Sequence, residues 1–462
     1  MNLLLAALLP LYVLAGTASG PAEPVEERKS YLLPALEIFG FELLLNRVDE
    51  SLFGEDYAVR FSTIEDNLHR GWVVEHDPFQ INQLGHPYQG SMYHGFARSA
   101  GLNYWESFGY TFAGSLLWEI AGETTTPSRN DQIASGIGGS FLGEALFRMA
   151  HLVLERGHGS RRWLETRAAL ISPATGFNRR IDPRRREAVH SSRDAAYYSR
   201  VQFGVSGAAR DEPGSSTRRR EYEGLLDVSL EYGLPGKPDY RYAHPFDYFT
   251  FQGTASSANA VENVLVRGLL AGRGYGGGES YRGVWGLYAN YDYIAPQTFR
   301  VSSTAVSLGT TYQGWLSETV ALQGTALLGV GYAAVGTLHG TDDHEYHYGV
   351  APQALLASRL IFGSRFSLDV SAHEYFVSGL AAAPTGGHDE ILRGDLSLAL
   401  RIRGKHAIAA KYLWNRREAA FTEFPDTTQT RGTFGLFYTR LGHDRFGAID
   451  WRQDASARPH SP

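Results

Sequence analysis

The side chains best suited to chemistry fall in three short stretches. His86 and His94 lie in GHPYQGSMYHGFAR, Glu119 closes a long aromatic segment at WE, and Asp131 and Glu144 bracket NDQIASGIGGSFLGE. A histidine with two carboxylates can bind a divalent metal or move protons. One expectation therefore gathers His86, His94, Glu119, Asp131 and Glu144 into a single pocket. In it His86, Glu119 and Asp131 are the catalytic candidates, and Ser128, Asn130, His94, Arg98 and Glu144 the binding ones. Spacing does not impose that pocket: HExxH is missing, as are GxSxG, a P-loop and GxGxxG in the required strand context. No cofactor or metal is expected. A second reading is structural. Ser128, Asn130 and Asp131 are preferred cap residues after Pro127, with Asp131 in a first turn that suits a negative charge. His86 precedes Pro87 and so belongs to an extended turn, while His94 and Arg98, four apart, share an exposed helix face. Buried polar groups need partners whether or not chemistry occurs, which favours a structural network over catalysis.

Two helices must position these groups. The segment around residues 103–121 repeats Ser107, Thr111, Ser115 and Glu119 every four residues, a narrow polar stripe on an aromatic surface. The next helix repeats Asp131, Ser135, Gly139 and Gly143, small enough for close approach of a neighbour. The stripes read as partners. A connection of about ten residues containing Pro127 lets the helices pack antiparallel, with Glu119 beside Asp131 in a network with His86 or Ser128.

In order along the chain come DPF at residue 77, NQ, HPYQGS, AR, GS, WE, PS, ND and LGE at residue 144. Together these resemble the family catalogued as domain-of-unknown-function family 3943, over roughly residues 60–157. The resemblance implies a helical module in exported, barrel-bearing bacterial proteins, with no established activity to carry over. Glu119 followed by PSRND and a Gly-rich helix start also looks like the pattern of small membrane-associated domains of the VanZ-like type, an analogy of motif alone.

The whole chain reads as α+β: an N-terminal helical domain followed by a transmembrane antiparallel β-barrel of about twelve strands. Residues 1–20 form an apolar, small-residue-terminated signal peptide, with cleavage expected after Ala18. Residues 30–156 are helical by period, 157–194 an Arg-rich linker, 195–446 strands, and 447–462 a polar tail. Tyr222, Gly224, Leu226, Val228, Leu230 and Tyr232 alternate with Asp227, Ser229 and Glu231; Leu396, Leu398 and Leu400 alternate with Asp395, Ser397 and Arg401. No later run of about 18 uncharged apolar residues exists. A barrel of this width is too large to be filled by its own side chains, so its apolar faces meet lipid and its polar faces line a lumen. Tyr222 with Tyr232, and Tyr281 with Tyr293, are expected in girdles at both membrane interfaces. Composition narrows the rest: 52 Gly and 26 Tyr suit a large sheet, zero Cys excludes disulfides and thiolate metal sites, and a net charge of −6 argues against nucleic acid. The expected partners are outer-membrane lipid or lipopolysaccharide, met by the Arg-rich stretch, and a periplasmic protein. Three roles follow: a barrel with a plug-like helical module acting in passage, binding or envelope maintenance; an outer-membrane enzyme acting on lipid or a cell-wall component; or a docking protein for a periplasmic partner.

Overall fold

A computed structural model describes residues 29–75, 77–211, 218–296, 299–337, 346–379, 386–421, 424–443 and 445–452. The expected signal peptide and most of the polar tail lie outside these residues. The described residues form two compact units, a helical one up to Ser191 and a strand-built one that follows.

In the helical unit eight helices are described: α1 Leu32–Phe53, α2 Phe61–His69, α3 His86–Ser99, α4 Tyr104–Ala121, α5 Arg129–Arg156, α6 Arg161–Ile171, α7 Pro173–Ile181 and α8 Pro183–Glu187. Their ends follow from local chemistry. Asn103 and Glu106 form a reciprocal capping box at the start of α4. The Ser128 hydroxyl caps α5 by accepting from the Asp131 amide at 3.2 Å. α1 stops at Gly54, whose φ of 88° suits glycine. Two π-helical turns interrupt the regular pattern, Ile81–Gly85 just before α3 and Gln132–Gly138 within α5.

α3 is the centre of this unit, with twelve of its fourteen residues buried. The small-residue stripe of α5 packs on α3: a Cβ on Gly90 would lie 1.9 Å from the Ser135 carbonyl oxygen, and one on Gly143 would lie 2.7 Å from the Cβ of His94. The polar stripe of α4 also turns to α3, with Thr111 Oγ1 3.3 Å from His94 Nδ1. The two stripes thus meet α3 from either side instead of pairing only with each other. Among the described residues one helix, α5, is long and apolar enough to cross a membrane, yet 89% of its apolar window is buried; it is a core helix.

Where the sequence suggests an Arg-rich linker, residues 161–187 fold as α6, α7 and α8. Several of their arginines find local acceptors. Arg179 donates to the carbonyls of Arg185 and Ala188, and Arg186 pairs with Glu165 at 3.0 Å. Arginine satisfied by carbonyls and carboxylates packs like any other helical residue.

Twelve strands follow: β1 Tyr197–Asp211, β2 Arg218–Tyr232, β3 Phe249–Ser256, β4 Asn263–Gly277, β5 Tyr281–Ile294, β6 Phe299–Trp315, β7 Val320–Thr337, β8 Tyr346–Phe362, β9 Phe366–Ser378, β10 Gly387–Arg403, β11 His406–Phe421 and β12 Phe424–Leu441. Each neighbours the next, and β1 pairs antiparallel with both β2 and β12, which closes the barrel. Closure removes the exposed edges that an open sheet would leave unpaired in lipid. Most strands have 13 to 18 residues, more than the nine to eleven or so a bilayer requires.

Alternation sets the two faces. Leu396, Leu398, Leu400 and Ile402 point outward and are exposed, while Ser397 and Ala399 point inward and are buried. The outward apolar band is carried mainly by β6–β12 and β1. In β2, β4 and β5 the outward residues Val228, Leu230, Val264, Val266 and Tyr291 are buried. The expected pair of girdles is therefore only half present. Tyr222 and Tyr281 are exposed, but Tyr232 and Tyr293 are buried; Tyr232 stacks on Phe249 with ring centroids 5.1 Å apart and donates to the Ser192 carbonyl.

The lumen also departs from expectation, because charged side chains reach across it. Arg359 of β8 contacts Glu231 of β2 at 2.7 Å and Asp369 of β9 at 2.5 Å. Lys411 of β11 lies 3.5 Å from Asp227 of β2. The Tyr375 hydroxyl of β9 donates to Asp292 of β5 at 3.0 Å, and Arg267 of β4 holds the same carboxylate at 3.0 Å. Long polar side chains from opposite walls thus fill much of a barrel that shorter ones would leave open. Beyond β12 the chain turns back: the Ile449 carbonyl accepts from Gln313 at 2.6 Å and Trp315 at 3.2 Å, the Gly447 carbonyl accepts from Gln323, and Trp451 is buried. The start of the expected polar tail is a strap anchored on β6 and β7.

Candidate functional site

The polar candidates of the helical unit separate into two clusters, on opposite stretches of α3. The first surrounds the junction of α4 and α5. Pro127 turns the chain after α4, and a short parallel bridge between Val73 and Ser128 holds the junction against the segment before α3. Glu119, one turn from the end of α4, accepts the Ser128 amide through Oε2 at 2.6 Å. The Ser128 hydroxyl lies 2.9 Å from Asn130 Oδ1, and Asn130 donates to Asp131 Oδ1 at 2.9 Å and receives the Glu75 amide at 2.8 Å. His86 completes the group, with Nε2 3.9 Å from Asp131 Oδ1 and Nδ1 3.3 Å from the Ser135 hydroxyl. Glu123 closes it on the α4 side, held by Thr125 at 2.9 Å and by the Trp118 indole.

The second cluster is built on Glu144, which is fully buried. It receives Arg98 Nε at 2.7 Å, Arg148 Nε at 2.8 Å and His94 Nε2 at 3.1 Å. Arg98 also donates to the Leu102 carbonyl at 2.5 Å. The single pocket expected from the sequence is thus two networks: His86, Glu119, Ser128, Asn130 and Asp131 in one, His94, Arg98 and Glu144 in the other. His94 follows His86 by eight positions, about 12 Å along a helix.

Two local expectations change as well. His86 is helical, with φ −60° and ψ −47°, because Pro87 occupies a first-turn position where its missing N–H costs nothing. His94 and Arg98 lie on a buried face, made tolerable by the Glu144 carboxylate.

Electrostatics differ sharply between the clusters. Burial, then the neighbouring Asp131 and Glu123 carboxylates, push the Glu119 carboxyl up to about 10. Burial, then Asp131, raise Glu75 to about 9, and burial raises Glu123 as well. Close carboxylates in a dry site cannot all ionise, so protons are shared among them. Glu144 goes the other way: burial opposes its charge, but Arg98, the His94 bond and Arg148 outweigh it and hold the carboxyl well below the usual range.

The first cluster gathers close carboxyls whose charged forms burial and mutual repulsion disfavour. Glu119 Oε1 is buried and has no hydrogen-bond partner. Glu75 and Glu123, absent from the sequence-based candidates, join it through a loop and a turn; Glu123 stands a few residues before PSRND, whereas Glu75, just before DPF, carries no local signal. Among the described residues no group of three or more acidic, His or Cys side chains is placed to hold a metal ion.

The closed twelve-stranded barrel with an outward apolar band makes this a membrane-barrel protein carrying a helical unit. Residues 71–174 of the chain are a DUF3943 domain, a domain of unknown function. That span contains both clusters and reaches into α7, beyond the helical limit read from periodicity. No curated protein matches the sequence. Solved barrels align with about half of the chain. The outer membrane channel DcaP of Acinetobacter baumannii is 6% identical over 54% of this chain and 97% of its own, with a TM-score of 0.26. The translocator domain of the autotransporter NalP from Neisseria meningitidis is 12% identical over 53% and 88%, with a TM-score of 0.26. The Pseudomonas putida toluene transporter TodX is 8% identical over 54% and 89%, with a TM-score of 0.23.

Proposed function

We propose that this is an outer-membrane barrel, exported through its N-terminal signal peptide, that binds small polar or charged solutes inside the barrel and passes them through a lumen held shut by cross-barrel ion pairs. One observation carries this reading. A cavity of about 240 Å³ lies inside the barrel, lined by Arg200, Arg267, Arg359, Arg393 and Lys411 together with Glu231, Asp369 and Asp395. Tyr248 and Tyr288 supply apolar ring faces to the same chamber. Such a chamber suits a solute that exchanges hydrogen bonds with both signs of charge, and pairs such as Arg359–Asp369 must part before a larger one can pass. Lipid covers the outward apolar band.

Single-channel recording in planar bilayers tests this. The wild-type barrel should give a small conductance. Arg359→Ala, which removes the contacts to both Glu231 and Asp369, should raise it severalfold while heat-modifiable gel mobility shows the barrel still folded. A folded barrel silent in both forms would reject passage.

A second reading rests on the buried Glu119 carboxyl, whose Oε1 has no hydrogen-bond partner and whose pKa burial and the neighbouring Asp131 raise: acid–base chemistry on a lipid or cell-wall component in the helical unit. Under it, Glu119→Gln leaves the fold intact and abolishes envelope lipid turnover; unchanged turnover would dismiss it.

A further inference from the structure

The helical unit exposes a face that water does not suit. Along the first four turns of α1 the exposed residues are Leu32, Ala35, Leu36, Phe39, Gly40, Leu43 and Leu44, without one charged or hydrogen-bonding side chain. The two acids of this stretch, Glu37 and Glu42, turn to the buried side. α4 continues the same surface through Trp105, Phe112, Ala113 and Leu116. Exposure is as full as on the barrel's outward wall: Leu36 is 59% and Leu44 64% exposed, against 47% for Leu398 and 55% for Leu400.

The two helices run side by side in the same direction. At one end Lys29 and the Tyr31 hydroxyl reach Glu106, each at 2.9 Å, and the Tyr110 hydroxyl donates to the Tyr31 carbonyl at 2.6 Å. At the other, Asn46 donates to the carbonyls of Gly122 at 2.9 Å and Tyr57 at 2.8 Å. From the tie at Glu106 to the tie at Gly122 α4 rises about 24 Å, close to the apolar band of about 25 Å on outer-membrane barrels. Polar and aromatic groups stand toward both ends, Lys29, Tyr31 and Trp105 at one and Arg47, Glu50 and Tyr57 at the other, where exposed Leu52 and Phe53 lie among them in the last turn of α1.

We propose that the exposed face of α1 and α4 is embedded in the acyl chains of the bilayer, so that the helical unit is itself membrane-inserted and not a water-borne plug. A soluble protein does not keep so long a charge-free apolar surface in contact with water. The length of the face, its polar limits and the inward turn of Glu37 and Glu42 match a hydrocarbon slab, whereas a protein partner would need no such banding. The proposal rests on the chain being a membrane barrel.

The chain has no cysteine, so single cysteines can be introduced and labelled with an environment-sensitive fluorophore. Leu36→Cys, Leu43→Cys and Phe112→Cys lie on the proposed face, and Arg162→Cys on the exposed side of α6 is the control. The full chain is reconstituted in vesicles of phospholipid brominated at defined acyl positions, with heat-modifiable mobility confirming insertion of each variant. Strong quenching at the three face positions, greatest when bromine sits near the bilayer centre, with none at Arg162, is the expected result. Free reaction with a membrane-impermeant thiol reagent at the face positions would overturn the proposal. So would protection from both quencher and reagent, which would mean that protein, another copy or part of this chain, covers the face. A chain that fails to insert at all refutes the barrel reading, whereas an inserted barrel with unquenched face positions refutes this proposal alone.

Discussion

Glu119 and Glu144 lie in one helical unit and respond to pH in opposite senses. The folded pKa of Glu119 is raised to about 10, above its ordinary value of 4.5, so the native state binds more protons than the unfolded one between those limits. Its contribution to stability is complete below about 4.5 and fades as pH rises toward 10. Glu144 is held below its ordinary value, so its contribution is complete above 4.5 and is lost as pH falls through the folded value. Thermal melts across pH should therefore show a weakening on the alkaline side that Glu119→Gln flattens and Glu144→Gln does not. At neutral pH, Glu119→Gln keeps a neutral acceptor for the Ser128 amide and should stay within about 0.5 kcal/mol of wild type. Glu119→Ala strands that amide and should cost about 1–3 kcal/mol. Glu144→Gln leaves Arg98 and Arg148 buried without a counter-charge and should cost about 3–5 kcal/mol, read by denaturant unfolding. An alkaline-stabilised wild type, or equal costs for the two Gln variants, would contradict this account. These partnerships were partly legible. Glu119 closes one stripe and Asp131 opens the next, so their spacing already places them at one junction, but the 46 positions separating Arg98 from Glu144 leave no periodic trace.

The close approach of α3 and α5 depends on glycine at Gly90, Gly139 and Gly143. A Cβ at Gly90 would collide with the Ser135 backbone, which cannot move without shifting α5. Gly90→Ala should therefore cost about 1–3 kcal/mol through overpacking. A methyl group at Gly40 on α1 would meet nothing within 4 Å, and Gly40→Ala should be neutral or gain up to about 1 kcal/mol of helix propensity. Melting temperatures of the two variants check this, and a tolerated Gly90→Ala would mean that the helices are not so tightly apposed. Helix positions were readable because apolar residues recur at three and four. The identity of the neighbour was not, since the stripes of α4 and α5 are small and polar on both flanks and say only that something approaches. The arginines of α6 to α8 misled for a related reason: a basic run reads as solvated until the carbonyls it caps are known.

For the barrel, alternation carried nearly everything about the wall. The faces of β2 and β10 follow from Asp227 against Leu226 and from Ser397 against Leu398, and the twelve segments separated by turn residues match the twelve strands that close. What stayed hidden was the interior. Arg359 meets Glu231 across the lumen from a strand 128 positions away in sequence, and no local pattern marks that pair. The buried outward residues Val228, Leu230 and Tyr291 likewise carry the same pattern as lipid-facing ones, because cover by protein and cover by lipid both select apolar side chains. The central claim, that the outward face of this closed barrel meets lipid, is tested most directly by folding the purified chain into lipid vesicles and comparing the gel mobility of heated and unheated samples. The wild type and Asp227→Asn should both show a heat-modifiable shift. Leu398→Arg, which sets a charge on the lipid face at a cost of about 2–4 kcal/mol near the midplane, should lose most of it. A chain that stays soluble and monomeric beside vesicles, or a Leu398→Arg variant that inserts as well as Asp227→Asn, would contradict it.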